Sequence, residues 1–179
     1  MTADQTSITR LARPMSWVLT GSLWLLPPLL VLFVLLFPGM LGNHPAIASS
    51  HIDTAHLSAT AVAAVIAALL IASAPTIWGL WELKRLFEGY ADGAIFTVGA
   101  ARRLRRCGFA MLASAAKTGV AAVLLSLALS IDLPEGHRVL AVTLSSDDLA
   151  WLLVGGILLV IARVMEEAAR LAEENAAFV

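Results

Sequence analysis

Four apolar runs, each long enough to cross a lipid bilayer, constrain this chain more than any other feature. They lie at about residues 14–37, 57–83, 107–131 and 149–166. A helix rising about 1.5 Å per residue needs roughly 20 apolar residues to cross a hydrocarbon core of about 30 Å. Hydrophobic residues make up 59% of the chain and charged residues 14%, against about 25% charged in a typical soluble domain. No water-soluble core of this size shelters so many apolar side chains, so the solvent they call for is lipid. The expected fold is therefore all-α: an antiparallel four-transmembrane-helix bundle forming one membrane domain over residues 1–179. The hairpin 84–106 and the tail 167–179 are expected as its cytoplasmic helical extensions.

Local chemistry sets the expected boundaries. Arg10, Arg13 and the triplet Ala46-Ile47-Ala48 outline a secretory signal, but the stretch from Pro14 to Phe37 exceeds the roughly 7–15 residues of a signal core. A retained helix is expected there, ended by Pro38-Gly39. Pro27 and Pro28 delete backbone donors in its middle, which predicts a kink or local unwinding. Asp53 or Thr54 is placed to cap the second helix. Trp78 and Trp81 suit the membrane interface, where an apolar ring with one N–H is comfortable. Gly89 or Gly93 should stop that helix, and Thr97 should cap the third. Asp132, Pro134, Glu135 and Gly136 mark a second outer loop, after which Asp147 or Asp148 opens the fourth helix.

Orientation follows from basic residues. The expected inner segments hold Arg10, Arg13, Lys84, Arg85, Arg102, Arg103, Arg105, Arg106, Arg163 and Arg170, whereas the outer loops hold only Arg138. That asymmetry puts both ends and the middle hairpin inside. Small residues should bring the helices together, because lipid offers no hydrophobic drive for association. The candidate rows are Ala59, Ala63 and Ala67, then Ala64, Ala68 and Ala72, with Ala115 and Gly119 on the third helix and Gly155-Gly156 on the fourth.

Two segments carry a family resemblance. They are LKRLFEGYADGAIFTVGAARRLRRCG and DLAWLLVGGILLVIARVMEEAARLAEENAAFV. The most specific points are Phe87, Tyr90, Gly93 and Phe96 around the turn, and Leu171 to Asn175 followed by Phe178-Val179. Together they resemble the bacterial domain-of-unknown-function family numbered 2975, and the likeness extends over essentially the whole chain. The resemblance implies a small inner-membrane protein with four helices, and in some relatives a neighbouring gene for a helix-turn-helix regulator. It implies no activity and transfers no functional residue.

Lys117 is the most informative single residue. It stands 15 residues from Asp132, about 22 Å along a helix from the outer boundary and so inside the membrane. Its ammonium either snorkels to the inner headgroups or joins a polar cluster. Arg163 stands the same 15 residues from Asp148, with Glu166 and Glu167 one turn on. Matched depth therefore predicts a cluster of Lys117, Arg163, Glu166 and Glu167. Arg102, Arg103, Arg105 and Arg106 are expected to bind anionic lipid headgroups or to pair with the tail carboxylates Glu173 and Glu174.

The chemistry of catalysis is harder to find. His44, His51, His56 and His137 all fall on the outer side; His51, Asp53 and His56 are weak metal candidates whose spacing matches no zinc signature. Cys107 is the sole cysteine, which excludes an intrachain disulfide. No phosphate-cradling loop or nucleophile elbow is present, so no cofactor is expected. A net charge of −1 gives no footprint for direct nucleic-acid binding. The expected partners are membrane lipids, a cytoplasmic regulatory protein and a second copy of the chain. The leading functional expectation is a non-enzymatic interaction or regulatory membrane protein. The alternative is a small transporter or a lipid- or ligand-binding bundle built around Lys117 and Pro27-Pro28.

Overall fold

A computed structural model describes residues 3–37, 58–95, 97–131 and 146–176. Five helices follow in order: α1 Ala3–Leu36, α2 Ala59–Ala91, α3 Val98–Ala115, α4 Lys117–Leu129 and α5 Ser146–Ala176. Among the described residues there is no strand. Ala12–Leu36, Ala59–Ala91 and Ser146–Asn175 are each long and apolar enough to cross a membrane. α3 and α4 pass that test together, as one span bent by 47°.

The termini of these helices follow their residues. Ser58 caps α2, its hydroxyl accepting from the Ala61 amide at 3.2 Å, so the cap is not at Asp53 or Thr54, which lie outside the described residues. α2 runs through Gly89 and stops at Ala91. Gly93 then adopts φ +83, a left-handed conformation that glycine alone enters cheaply. Thr97 caps α3 as expected, accepting from the Ala100 amide at 3.2 Å. α1 continues without a break through Pro27 and Pro28, contrary to the expected unwinding. Proline's fixed φ is itself helical, and α2 packs alongside α1.

The third span is the larger departure. It was expected to be one helix and is two. At Ala116 the turn tightens, its amide bonding to Ala113 O at 3.2 Å in an i→i+3 pattern. The α-pattern resumes at once, with the Val120 amide on Ala116 O at 3.0 Å.

The helices form an open series rather than a closed ring. α1 packs on α2, α2 on α3 and α4, and α3 on α5. α2 is thus the spine, burying Ala61, Val65, Ala68 and Ala72. Of the two alanine rows expected, the second packs inward, with Ala68 and Ala72 in this stripe and Ala64 against the core, whereas Ala59, Ala63 and Ala67 face outward. One apolar cluster joins Val34 of α1 and Val65 of α2 to Leu125 and Leu129 of α4. A second joins Leu86, Leu104 and Ala162 across α2, α3 and α5.

α3 and α5 cross at two glycines. A Cβ on Gly108 would lie 3.1 Å from Gly155 O, and one on Gly155 would lie 3.0 Å from Gly108 O. Only hydrogen fits between backbones this close, which is how small residues drive helix association in lipid. Gly156 has open space beside it, so of the adjacent pair Gly155 alone makes the crossing.

Candidate functional site

The antiparallel register set at Gly108 and Gly155 decides which polar groups meet. It arranges them in two layers. One lies at the end of the assembly where the α2–α3 turn sits. The other lies part-way along, at the break between α3 and α4.

In the first layer the arginines of α3 reach to both sides. Arg106 Nη1 stands 3.3 Å from Glu82 Oε1 on α2, and Arg105 Nη1 stands 3.3 Å from Glu166 Oε2 on α5. Arg103 donates to the backbone carbonyl of Arg85. Arg163 also reaches Glu166, at 3.7 Å. Glu167 pairs instead with Arg170 at 3.1 Å, and Arg170 reaches Glu174 at 3.4 Å. The α3 arginines are therefore clamps onto the neighbouring helices, and their carboxylates are Glu82 and Glu166 rather than Glu173 and Glu174. Arg102 is exposed and makes no ion pair among the described residues.

Glu82 is the unusual member. It is only 4% exposed, and its Oε2 has no hydrogen-bond partner among the described residues. Sequence reasoning missed it, although it is the single charged residue in the run 57–83. A carboxylate in such a run is costly unless paired, and that cost was the available signal.

The second layer surrounds Lys117. Its Nζ lies 4.8 Å from the centre of the Trp151 ring, within cation–π range. Thr118 Oγ1 donates to Asp148 Oδ1 at 2.7 Å, and Asp148 is 3% exposed. The structure does not bring Lys117 to Arg163, Glu166 and Glu167. Trp151 precedes Arg163 by twelve residues, about 18 Å along α5. The expected cluster therefore divides: Arg163 joins Glu166 in the first layer, Glu167 pairs with Arg170, and Lys117 belongs to the second.

The reason is a false equivalence of depth. The end of α4 and the start of α5 do not lie at one level, because Asp148 meets Thr118, eleven residues before Leu129. That is a displacement of about 16 Å along a helix. α5 thus begins against the break between α3 and α4 and meets α4 at its first residues, Lys117 and Thr118.

A cavity of about 100 Å³ lies between α2, α3 and α5. Gly79 and Leu83 wall one side, Trp151 and Leu158 the other, and Cys107 and Met111 form the floor. The lining is almost wholly apolar; the Ser114 hydroxyl donates to Ala110 O at 2.8 Å and so accepts from the Thr76 hydroxyl at 3.3 Å. Neither Lys117 nor the Pro27-Pro28 pair contributes to it. No group of three or more His, Cys, Asp and Glu is placed to hold a metal among the described residues. His51, Asp53 and His56 lie outside them.

Comparison with known proteins gives one match. The family described as Protein of unknown function (DUF2975) matches residues 45–179. No curated protein and no solved structure matches the chain. The matched region contains both polar layers' carboxylates, all four α3 arginines and Lys117. The chain belongs to the DUF2975 family.

Proposed function

We propose that this chain is a multi-pass protein of the bacterial inner membrane that works by contact with a cytoplasmic regulatory protein rather than by chemistry of its own. Both termini and the α2–α3 turn lie on the cytoplasmic side, and the chain crosses the membrane four times. Large apolar side chains turned outward support the membrane setting: Trp24 is 76% exposed, Val160 65% and Leu25 63%. In water such a surface would aggregate; in lipid it is solvated. The basic residues of the first layer support the orientation.

The observation that carries the interaction reading is the free end of α5. Among the described residues Ala169 is the last one buried, and Arg170 through Asn175 are all exposed. This projection of about 9 Å carries i,i+3 and i,i+4 ion pairs of its own, Arg170 with Glu167 and Glu174, which add to its backbone hydrogen bonds. It presents Glu173 and Glu174 beside Leu171, which is 49% exposed. A partner with a basic rim and an apolar centre complements that surface.

One observation favours a second reading, a small lipid- or ligand-binding bundle: the apolar cavity between α2, α3 and α5. Its size suits a segment of acyl chain or a small apolar molecule rather than a hydrophilic solute. Lys117 is not among its lining residues, which argues against transport through that residue.

Affinity purification in mild detergent separates the two. The tagged full chain is compared with a variant ending at Ala169. A cytoplasmic protein co-eluting in near-equal amount with the full chain, and absent from the truncated one, is the expected result. A small apolar molecule retained by both, with no protein, transfers the assignment to the second reading.

A further inference from the structure

We propose that the cleft between α1 and α2 binds the headgroup of a phospholipid bearing a primary ammonium, of the phosphoethanolamine class. The inference rests on the membrane reading above, which places this end of the helices at headgroup level. The cleft is open to its surroundings and has a volume of about 550 Å³. Arg13, Ser16 and Thr20 line it from α1, and Lys84, Glu88 and Asp92 from α2.

Both signs of charge face this one space. Lys84 is partly committed: its Nζ lies 3.5 Å from Glu88 Oε1 and 5.6 Å from the centre of the Trp81 ring. Arg13 and Asp92 make no side-chain ion pair among the described residues, although both line the cleft. A ligand that offers a phosphate to Arg13 and Lys84, and a cation to Glu88 and Asp92, satisfies all four. A zwitterion with two carbons between phosphate and nitrogen is the smallest lipid headgroup that does so.

The hydroxyls select the kind of cation. Ser16 Oγ donates its hydrogen to Arg13 O at 2.8 Å, and Thr20 Oγ1 donates to Ser16 O at 2.7 Å. Each hydroxyl has therefore given its one hydrogen to the helix and offers the cleft only lone pairs. Acceptors of that sort suit a primary ammonium, which has three N–H donors. A quaternary ammonium has none to give. An anionic glycerol headgroup would match the cations but face the carboxylates of Glu88 and Asp92 with no positive charge of its own. Trp17, 74% exposed, stands beside the cleft where the acyl chains would leave it along α1.

The test is native mass spectrometry of the detergent-purified full chain. The chain is incubated with equal amounts of phosphatidylethanolamine, phosphatidylcholine and phosphatidylglycerol carrying identical acyl chains. Retention of the ethanolamine lipid about tenfold over the other two is expected, the equivalent of one charge-assisted hydrogen bond. E88Q and D92N together should abolish that preference while leaving phosphatidylglycerol bound. R13Q should weaken retention of both lipids. Equal retention of the three, or a phosphatidylglycerol preference that E88Q/D92N leaves unchanged, overturns the proposal. So does retention of soluble phosphoethanolamine by a chain that retains none of the three lipids, which would reassign the cleft to a water-borne zwitterion. Carbonate extraction of the same membranes reports on embedding separately: a chain that stays embedded but shows no headgroup preference defeats this inference alone.

Discussion

Replacing Arg106 by alanine is expected to destabilise the assembly by about 2–3 kcal/mol, read as a fall in thermal unfolding temperature in detergent. The cause is the partner left behind. Glu82 is buried, and one of its oxygens already has no described hydrogen-bond partner. Removing the guanidinium at 3.3 Å deprives the other oxygen as well and leaves a charge without compensation. Arg106 itself is half exposed, its side chain retaining 50% of its accessible surface. For that reason the effect falls at or just below the roughly 3–5 kcal/mol that breaking a fully buried pair costs. The double variant E82Q/R106M should recover most of the loss, because neither an orphan charge nor its desolvation remains. If R106A and E82Q/R106M prove equally destabilised, the pair holds the helices by packing alone and the electrostatic account is wrong.

The second large effect is expected at the α3–α5 crossing. Gly155→Val should cost about 3 kcal/mol, at the upper end of overpacking penalties. An added Cβ meets Gly108 O at 3.0 Å and the Leu112 side chain at 3.0 Å. Leu112 can rotate, but the carbonyl cannot move without its helix. The backbones must therefore separate, and with them Arg105 from Glu166 and Thr118 from Asp148. Gly156→Val is the control: the space beside it is open, and little change is expected. Limited proteolysis of α5 and thermal unfolding report both variants. Equal behaviour of the two would mean that α5 is not docked through Gly155.

Much of this architecture was legible because its causes are local. Run length and apolar content read out the helices; Thr97 read as a cap and Gly93 as a stop because capping and positive φ depend on single residues. What escaped depends on register between helices. Lys117 was assigned to Glu166 by counting inward from Asp132 and Asp148 as though both lay at one surface. The count failed because α5 begins opposite Thr118, and nothing within either helix encodes that offset. The better marker is the glycine pair: Gly108 against Gly155 fixes which stretches of α3 and α5 face one another, and long side chains reaching along the helices then bring Lys117 to Trp151 and Arg105 to Glu166. The break at Ala116 was hidden for a related reason. Alanine is a strong helix former; the bend coincides with tertiary contacts of Lys117 and Thr118 to α5. Glu82 was legible in principle, as a lone carboxylate in an apolar run, but only a partner 24 residues away makes it intelligible.

In the topology proposed above, the bent α3–α4 pair crosses the membrane with the arginine layer inside and the segment after α4 outside. Single cysteines at residues 102 and 132, placed by Arg102→Cys and Asp132→Cys on a Cys107→Ser background, test it directly in intact cells with a membrane-impermeant thiol reagent. The account predicts labelling at residue 132 before permeabilisation and at residue 102 only after it. Labelling of both from the same side would make α3–α4 a re-entrant hairpin and contradict the four-span topology.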